Sequence, residues 1–191
     1  HSCNCAFANI AQQVGGDTIA KYARMYGLTE THDLSGIETA AGSVESAGTD
    51  MTSVAWEGIG QYNDLVVPYS LLRMMGAIAN GGTVTEPSIL AGKSNGSERL
   101  MKQSTAERLS EMMSYNVEYN YGAGNYPGLE MHAKTGTAEI GDGTNNAWFA
   151  GFITNSDAPL AFVVMVERTN GSGYSVAGPI ANTVLQKAVF G

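Results

Sequence analysis

Two strand-length apolar stretches near the C-terminal end limit what this chain can become. Residues 146–154 and 160–167 flank Asn155-Ser156-Asp157, a turn-forming triplet that fits a hairpin between antiparallel strands. Residues 147–153 are apolar on both faces, as in a central strand covered on both sides. Upstream, Gly141-Asp142-Gly143 marks another turn, and before it lies Lys134-Thr135-Gly136-Thr137, approached through residues 129–133 and followed by Ala138-Glu139. Strand alternation would send Lys134 and Gly136 to one face and Thr135 and Thr137 to the other. A lysine, two hydroxyls and a glycine in succession suit an anion site, with Gly136 leaving room for a close approach. Taken alone, Lys-Thr-Gly fits an exposed turn equally well.

The remainder reads as mostly helical. Ser2 or Asn4 is expected to cap a helix over residues 6–14, and Asp17 one over 18–26 that stops at Gly27. Residues 28–61 are rich in Gly, Ser and Thr and weak in periodicity, so a surface loop is expected, anchored by Ile37, Met51, Val54 and Trp56. Pro68 first and Gly81-Gly82 last bracket a helix carrying Leu71, Leu72, Met75, Ile78 and Ala79. An extended piece over 83–90, a polar turn over 91–98 and a capping box Ser104-Thr105-Ala106-Glu107 follow. The box opens a helix in which Met112 and Met113 are expected in the core. Residues 116–128 read as loop, and 176–190 as a helix packed across the sheet. The pattern is α+β, helices followed by antiparallel strands and a C-terminal helix: residues 1–128 mainly helical, 129–191 a sheet plus helix.

Composition narrows the function. Of 191 residues, 43% are hydrophobic and 15% charged, which predicts a packed core. A net charge of −8 without any basic run argues against nucleic acid as a partner. No apolar run approaches the roughly 18 residues of a membrane helix. Cys3 and Cys5, one residue apart, are poorly spaced for a disulfide and read as small buried hydrophobes. His1, His32 and His132 lack metal-ligand spacing, so neither a metal nor an organic cofactor is expected. The polar start, without an initiator Met, reads as the beginning of a fragment.

Ser2-Cys3-Asn4 far upstream of Lys134-Thr135-Gly136 resembles the second and third motifs of penicillin-binding proteins and serine β-lactamases. Gly60-Gln61, the helix end Ala77-Ile78-Ala79-Asn80-Gly81-Gly82 and Ala147-Trp148-Phe149-Ala150-Gly151-Phe152 extend the likeness to class B transpeptidase domains. The resemblance implies a partial transpeptidase (serine β-lactamase-like) fold and a peptidoglycan D,D-transpeptidase working through a serine acyl-enzyme. Its partners would be a peptidoglycan stem peptide or a β-lactam. It implies that Ser2 relays protons and that Asn4 bonds the acyl side-chain amide. Lys134 would supply positive potential and bond the Ser2 hydroxyl. Thr135 and Thr137 would hold the substrate carboxylate beside Gly136, with Thr137 N–H as half of an oxyanion hole. A membrane-anchored enzyme outside the cytoplasm is implied too.

One motif is missing. The family's nucleophile lies in Ser-x-x-Lys, and no serine here has lysine three residues later. The expectation is the C-terminal part of a transpeptidase domain, cut just before Ser2, inactive by itself and prone to pair with other copies through an exposed strand edge. A β-lactamase would need a second base, commonly a Glu followed four residues later by Asn, which no Glu here provides. A β-lactam sensor is the stronger alternative, to be told apart by sequence outside this chain. A degenerate structural relative is disfavoured by the intact motif residues.

Overall fold

The computed structural model describes residues 2–93 and 95–191. His1 and Ser94, the latter inside the polar turn expected over 91–98, lie outside the described residues. The chain divides into two units: His1–Ser70 with Ser88–Ala91, and Leu71–Pro87 with Gly92–Gly191.

In the first unit, α1 (Asn4–Val14) and α2 (Gly16–Met25) are separated by Gly15 alone, at φ +85°. Both expected N-caps are displaced. Cys3 holds the N-cap position of α1 without a side-chain cap bond, because Asn4 is already helical. Asp17 lies in the first turn of α2, where its carboxylate faces the positive helix end and accepts from Ser46 Oγ at 2.6 Å. Gly27, at φ +70°, ends α2 as expected, with Leu28 N–H returning to Ala23 C=O at 3.0 Å.

The expected loop over 28–61 contains structure of its own. A tight hairpin, β1 (Asp33–Leu34) and β2 (Ile37–Glu38), turns through Ser35 and Gly36, both at positive φ. Then α3 (Met51–Glu57) starts on Asp50, whose carboxylate accepts from Thr52 and Ser53 N–H. Seven residues are too few to display a helical period in the sequence. Of the four expected anchors only Val54 is buried; Ile37, Met51 and Trp56 are exposed. Small residues do the packing instead: a Cβ on Gly58 would lie 2.1 Å from Ala11 Cβ, so Gly58 lets α3 sit directly on α1.

In α4 (Pro68–Ala79), Pro68 and the Asn80-Gly81-Gly82 ending match the expected bracket. In the second unit, β3 (Thr83–Thr85) pairs with β4 (Ser97–Arg99), so part of the expected polar turn is strand. Arg73 is buried and forks onto Glu86, Nε to Oε2 at 2.7 Å, with Nη2 on Oε1. The helix α5 (Gln103–Asn116) has Lys102 at its N-cap and no side-chain cap, so the Ser104 capping box does not form. Met113 is buried as expected, but Met112 is exposed. The expected loop over 116–128 begins instead as a widened helical turn, Val117–Gly122, and a tight turn, Ala123–Asn125.

The sheet follows: β5 (Met131–Glu139), β6 (Asn145–Ile153) and β7 (Leu160–Thr169), antiparallel in that order. Thr135 pairs with Phe149, and Phe149 with Val164. Phe149 and Ile153 join Met131, Ala133 and Phe162 on one buried face, packed with Ala181 and Leu185 of α6 (Gly178–Phe190). Phe152, pointing the other way from β6, is buried too, which accounts for a central strand apolar on both sides. A wide turn at Gly173–Ala177, capped by Ser172 and Ser175, leads into α6. The architecture is α+β, with helices before the main antiparallel sheet and a helix after it. Among the described residues no helix is long and apolar enough to cross a membrane.

Candidate active site

On β5 the even-numbered residues direct their backbone groups toward β6: the flanking bonds Thr154 N–H to Glu130 C=O and Ile140 N–H to Thr144 C=O share that parity. Ala133, Thr135 and Thr137 therefore turn their N–H and C=O groups to the outer edge. There, side chains replace a neighbouring strand. Asn116 Nδ2 donates to Ala133 C=O at 3.0 Å, and Thr135 N–H donates to Tyr121 Oη at 2.7 Å. Lys134 Nζ donates to Thr135 C=O at 2.6 Å.

The side chains alternate as expected. Thr135 and Thr137 lie on the face of Met131 and Ala133, and Lys134 and Gly136 on the other. Thr135 Oγ1 pairs with Tyr121 Oη at 2.9 Å, and Thr137 Oγ1 accepts Gly173 N–H at 3.0 Å. That approach requires glycine: a Cβ on Gly173 would sit 2.3 Å from Trp148 O and 2.4 Å from Gly136 O. A Cβ on Gly136 would come within 3.3 Å of Trp148 Cβ. One ammonium, two hydroxyls and an edge N–H at Thr137 thus share a four-residue stretch, a donor set suited to an anionic oxygen group.

Ser2 and Asn4 belong to the first unit, together at the start of α1 and exposed. Cys3 and Cys5 are exposed free thiols rather than core residues, a correction that follows from their place at the N-cap and first turn of a helix with an outward apolar face. Sequence reasoning missed Asn116 at the end of α5, Tyr121 in the widened turn and Gly173 in the turn before α6. It also missed a pair of inward carboxyls in the first unit. Burial pushes Glu57 up, with the Ala47 N–H opposing and Asp17 adding repulsion. Burial, then repulsion from Glu57, pushes Asp64 up to about 7.

The penicillin binding protein transpeptidase domain family matches residues 1–186. Peptidoglycan D,D-transpeptidase PbpA of Mycobacterium tuberculosis is 28% identical over 215 residues, covering 100% of this chain and 43% of that protein. The chain thus spans less than half the length of this relative. The ceftriaxone acyl-enzyme complex of penicillin-binding protein A from M. tuberculosis superposes with a TM-score of 0.87 at 26% identity, covering 98% of this chain and 46% of the other. The penicillin G acyl-enzyme complex of that protein gives a TM-score of 0.79 at 26% identity, over 98% of this chain and 46% of that one. With nearly its whole length matched, the chain belongs to the penicillin-binding protein transpeptidase domain family.

Proposed function

We propose that this chain is the C-terminal portion of the transpeptidase domain of a peptidoglycan D,D-transpeptidase, an enzyme that cross-links stem peptides and is acylated by β-lactams. The observation that carries the reading is the donor set of β5, with Lys134, the two threonine hydroxyls and the edge N–H of Thr137 on consecutive residues. The acyl-enzyme complexes of M. tuberculosis penicillin-binding protein A support a β-lactam as ligand.

In this reading Lys134 supplies the positive potential that draws in an anionic substrate. Thr135 and Thr137 hold its carboxylate, and Gly136 lets the strand pass close to Trp148 on the opposite face. Thr137 N–H donates to the substrate carbonyl oxygen as it gains charge, a contribution of about 2.7–4 kcal/mol when aligned. Ser2 relays protons and Asn4 bonds the acyl amide. The attacking serine and its activating lysine come from a Ser-x-x-Lys motif outside these 191 residues, since none occurs within them. The working place is the outer side of the cell membrane, where the cell-wall substrate lies.

The test uses the full-length protein with a fluorescent penicillin. A covalent label is expected on a serine outside the present chain, with Lys134→Ala slowing labelling at least about tenfold through loss of the charge-assisted contact. No labelling by any β-lactam would overturn the assignment.

A further inference from the structure

Tyr121 touches Thr135 twice. It is 8% exposed, and its ring is fixed edge-on to Phe149 and tilted against Tyr174, with centroids 5.7 and 5.8 Å away. Its own carbonyl accepts from Asn125 Nδ2 at 2.7 Å and from Tyr174 O–H at 3.3 Å. The phenol oxygen is therefore held at 2.7 Å from Thr135 N and 2.9 Å from Thr135 Oγ1.

The direction of these two bonds follows from donor inventory. An amide N–H can only donate, so at Thr135 N the phenol oxygen accepts. The phenol proton then needs an acceptor, and among the described residues Thr135 Oγ1 is the one in reach. The reverse arrangement, with Thr135 donating, would leave a buried phenol proton without a partner, which is costly. A phenol is also the more acidic of the two hydroxyls, hence the better donor. Once Thr135 Oγ1 accepts from Tyr121, its own proton is left to point elsewhere. Thr137 is in the same condition, since its hydroxyl accepts from Gly173 N–H.

We propose that Tyr121 is a positioning residue for anion recognition: its O–H donates to Thr135 Oγ1 and so commits the Thr135 hydroxyl to donate to the carboxylate of a bound ligand. The proposal rests on the reading of β5 as the carboxylate-holding strand. Polarisation along the chain Tyr121 to Thr135 to carboxylate strengthens the last bond. Without the phenol oxygen, Thr135 N–H also loses its acceptor at the sheet edge.

The experiment compares, in the full-length protein, the acylation rate by a penicillin bearing its free carboxylate with that by the methyl ester. Tyr121→Phe keeps the ring and removes the donor. It is expected to slow the acid roughly tenfold while changing the ester less than about twofold, the scale of one hydrogen bond to a charged group. Thr135→Val is expected to produce the same acid-specific loss, and adding Tyr121→Phe to it to leave the acid-to-ester ratio where Thr135→Val put it, since the lost N–H acceptor affects acid and ester alike. Equal slowing of acid and ester, or a further fall of that ratio in the double variant, would overturn the proposal. Should Tyr121→Phe fail to fold, an unchanged acid-to-ester ratio in Thr135→Val overturns it alone. Absence of acylation in the unaltered protein would overturn the underlying transpeptidase reading instead.

Discussion

The two units bury different kinds of residue. The second is built around large side chains: Phe149, Phe152 and Ile153 are fully buried on β6, and Tyr121, Tyr126 and Leu185 pack on the Phe149 face. The first hides Ala11, Ala20, Ala23, Val44 and Val54 and also the carboxyl of Glu57, while Phe7, Ile10 and Val14 form an exposed stripe along α1. One unit thus draws its stability from apolar area removed from water, and the other from close approach of small residues, with the buried Glu57 carboxyl as a cost rather than a gain. The site strand belongs to the first kind of packing. A strand held by a dense aromatic core keeps its donors at fixed spacing, which anion recognition requires.

The largest effect is expected from Phe149→Ala. Removing a fully buried aromatic from the middle of the sheet should cost about 3–5 kcal/mol, read by denaturant unfolding followed through the sheet signal. A loss below about 1 kcal/mol would show that the aromatic face is not what holds β5 in place.

A smaller effect is expected at Asp64, and it depends on pH. Its folded value, up to about 7, lies above the ordinary carboxylate range, so the folded state favours the neutral form. Stability is therefore full at low pH and declines as pH rises from the ordinary aspartate value through about 7. Asp64→Asn should raise the unfolding midpoint clearly at pH 8 and little at pH 4. Equal gains at both would exclude the burial and Glu57 repulsion that account for the shift. The smallest effect is at Phe7, half-exposed on α1, where Phe7→Ser should change stability by no more than about 0.5 kcal/mol. A larger loss would mean that the outward stripe of the first unit already has an internal partner.

The same contrast governs what could be read without coordinates. The strands β5, β6 and β7 were legible because period-two alternation, a doubly apolar centre and turn triplets agree over residues 131–169. Pro68 and Gly81 likewise announced α4. The Lys134–Thr137 donor set was legible as a motif, and its alternation followed from strand geometry. By contrast, α3 spans only seven residues, and the helical turns over 117–125 are written in Asn, Tyr and Gly, which read as loop. Tyr121 was invisible for that reason, since it lies within the widened turn that the sequence reads as loop. Glu57 and Asp64 read as surface charges because nothing local marks a carboxyl that tertiary packing turns inward. The cysteines misled in the opposite sense: small apolar residues are commonly buried, but here they ride on an exposed helix start.

In the proposed reading β5 supplies recognition and oxyanion donors while the attacking serine lies outside these 191 residues. The most direct measurement is the intact mass of this chain after long incubation with benzylpenicillin at neutral pH. An unchanged mass is expected, since donors without a nucleophile cannot open the β-lactam. A stoichiometric increase equal to one penicillin would contradict it and assign the nucleophile to a residue within the chain.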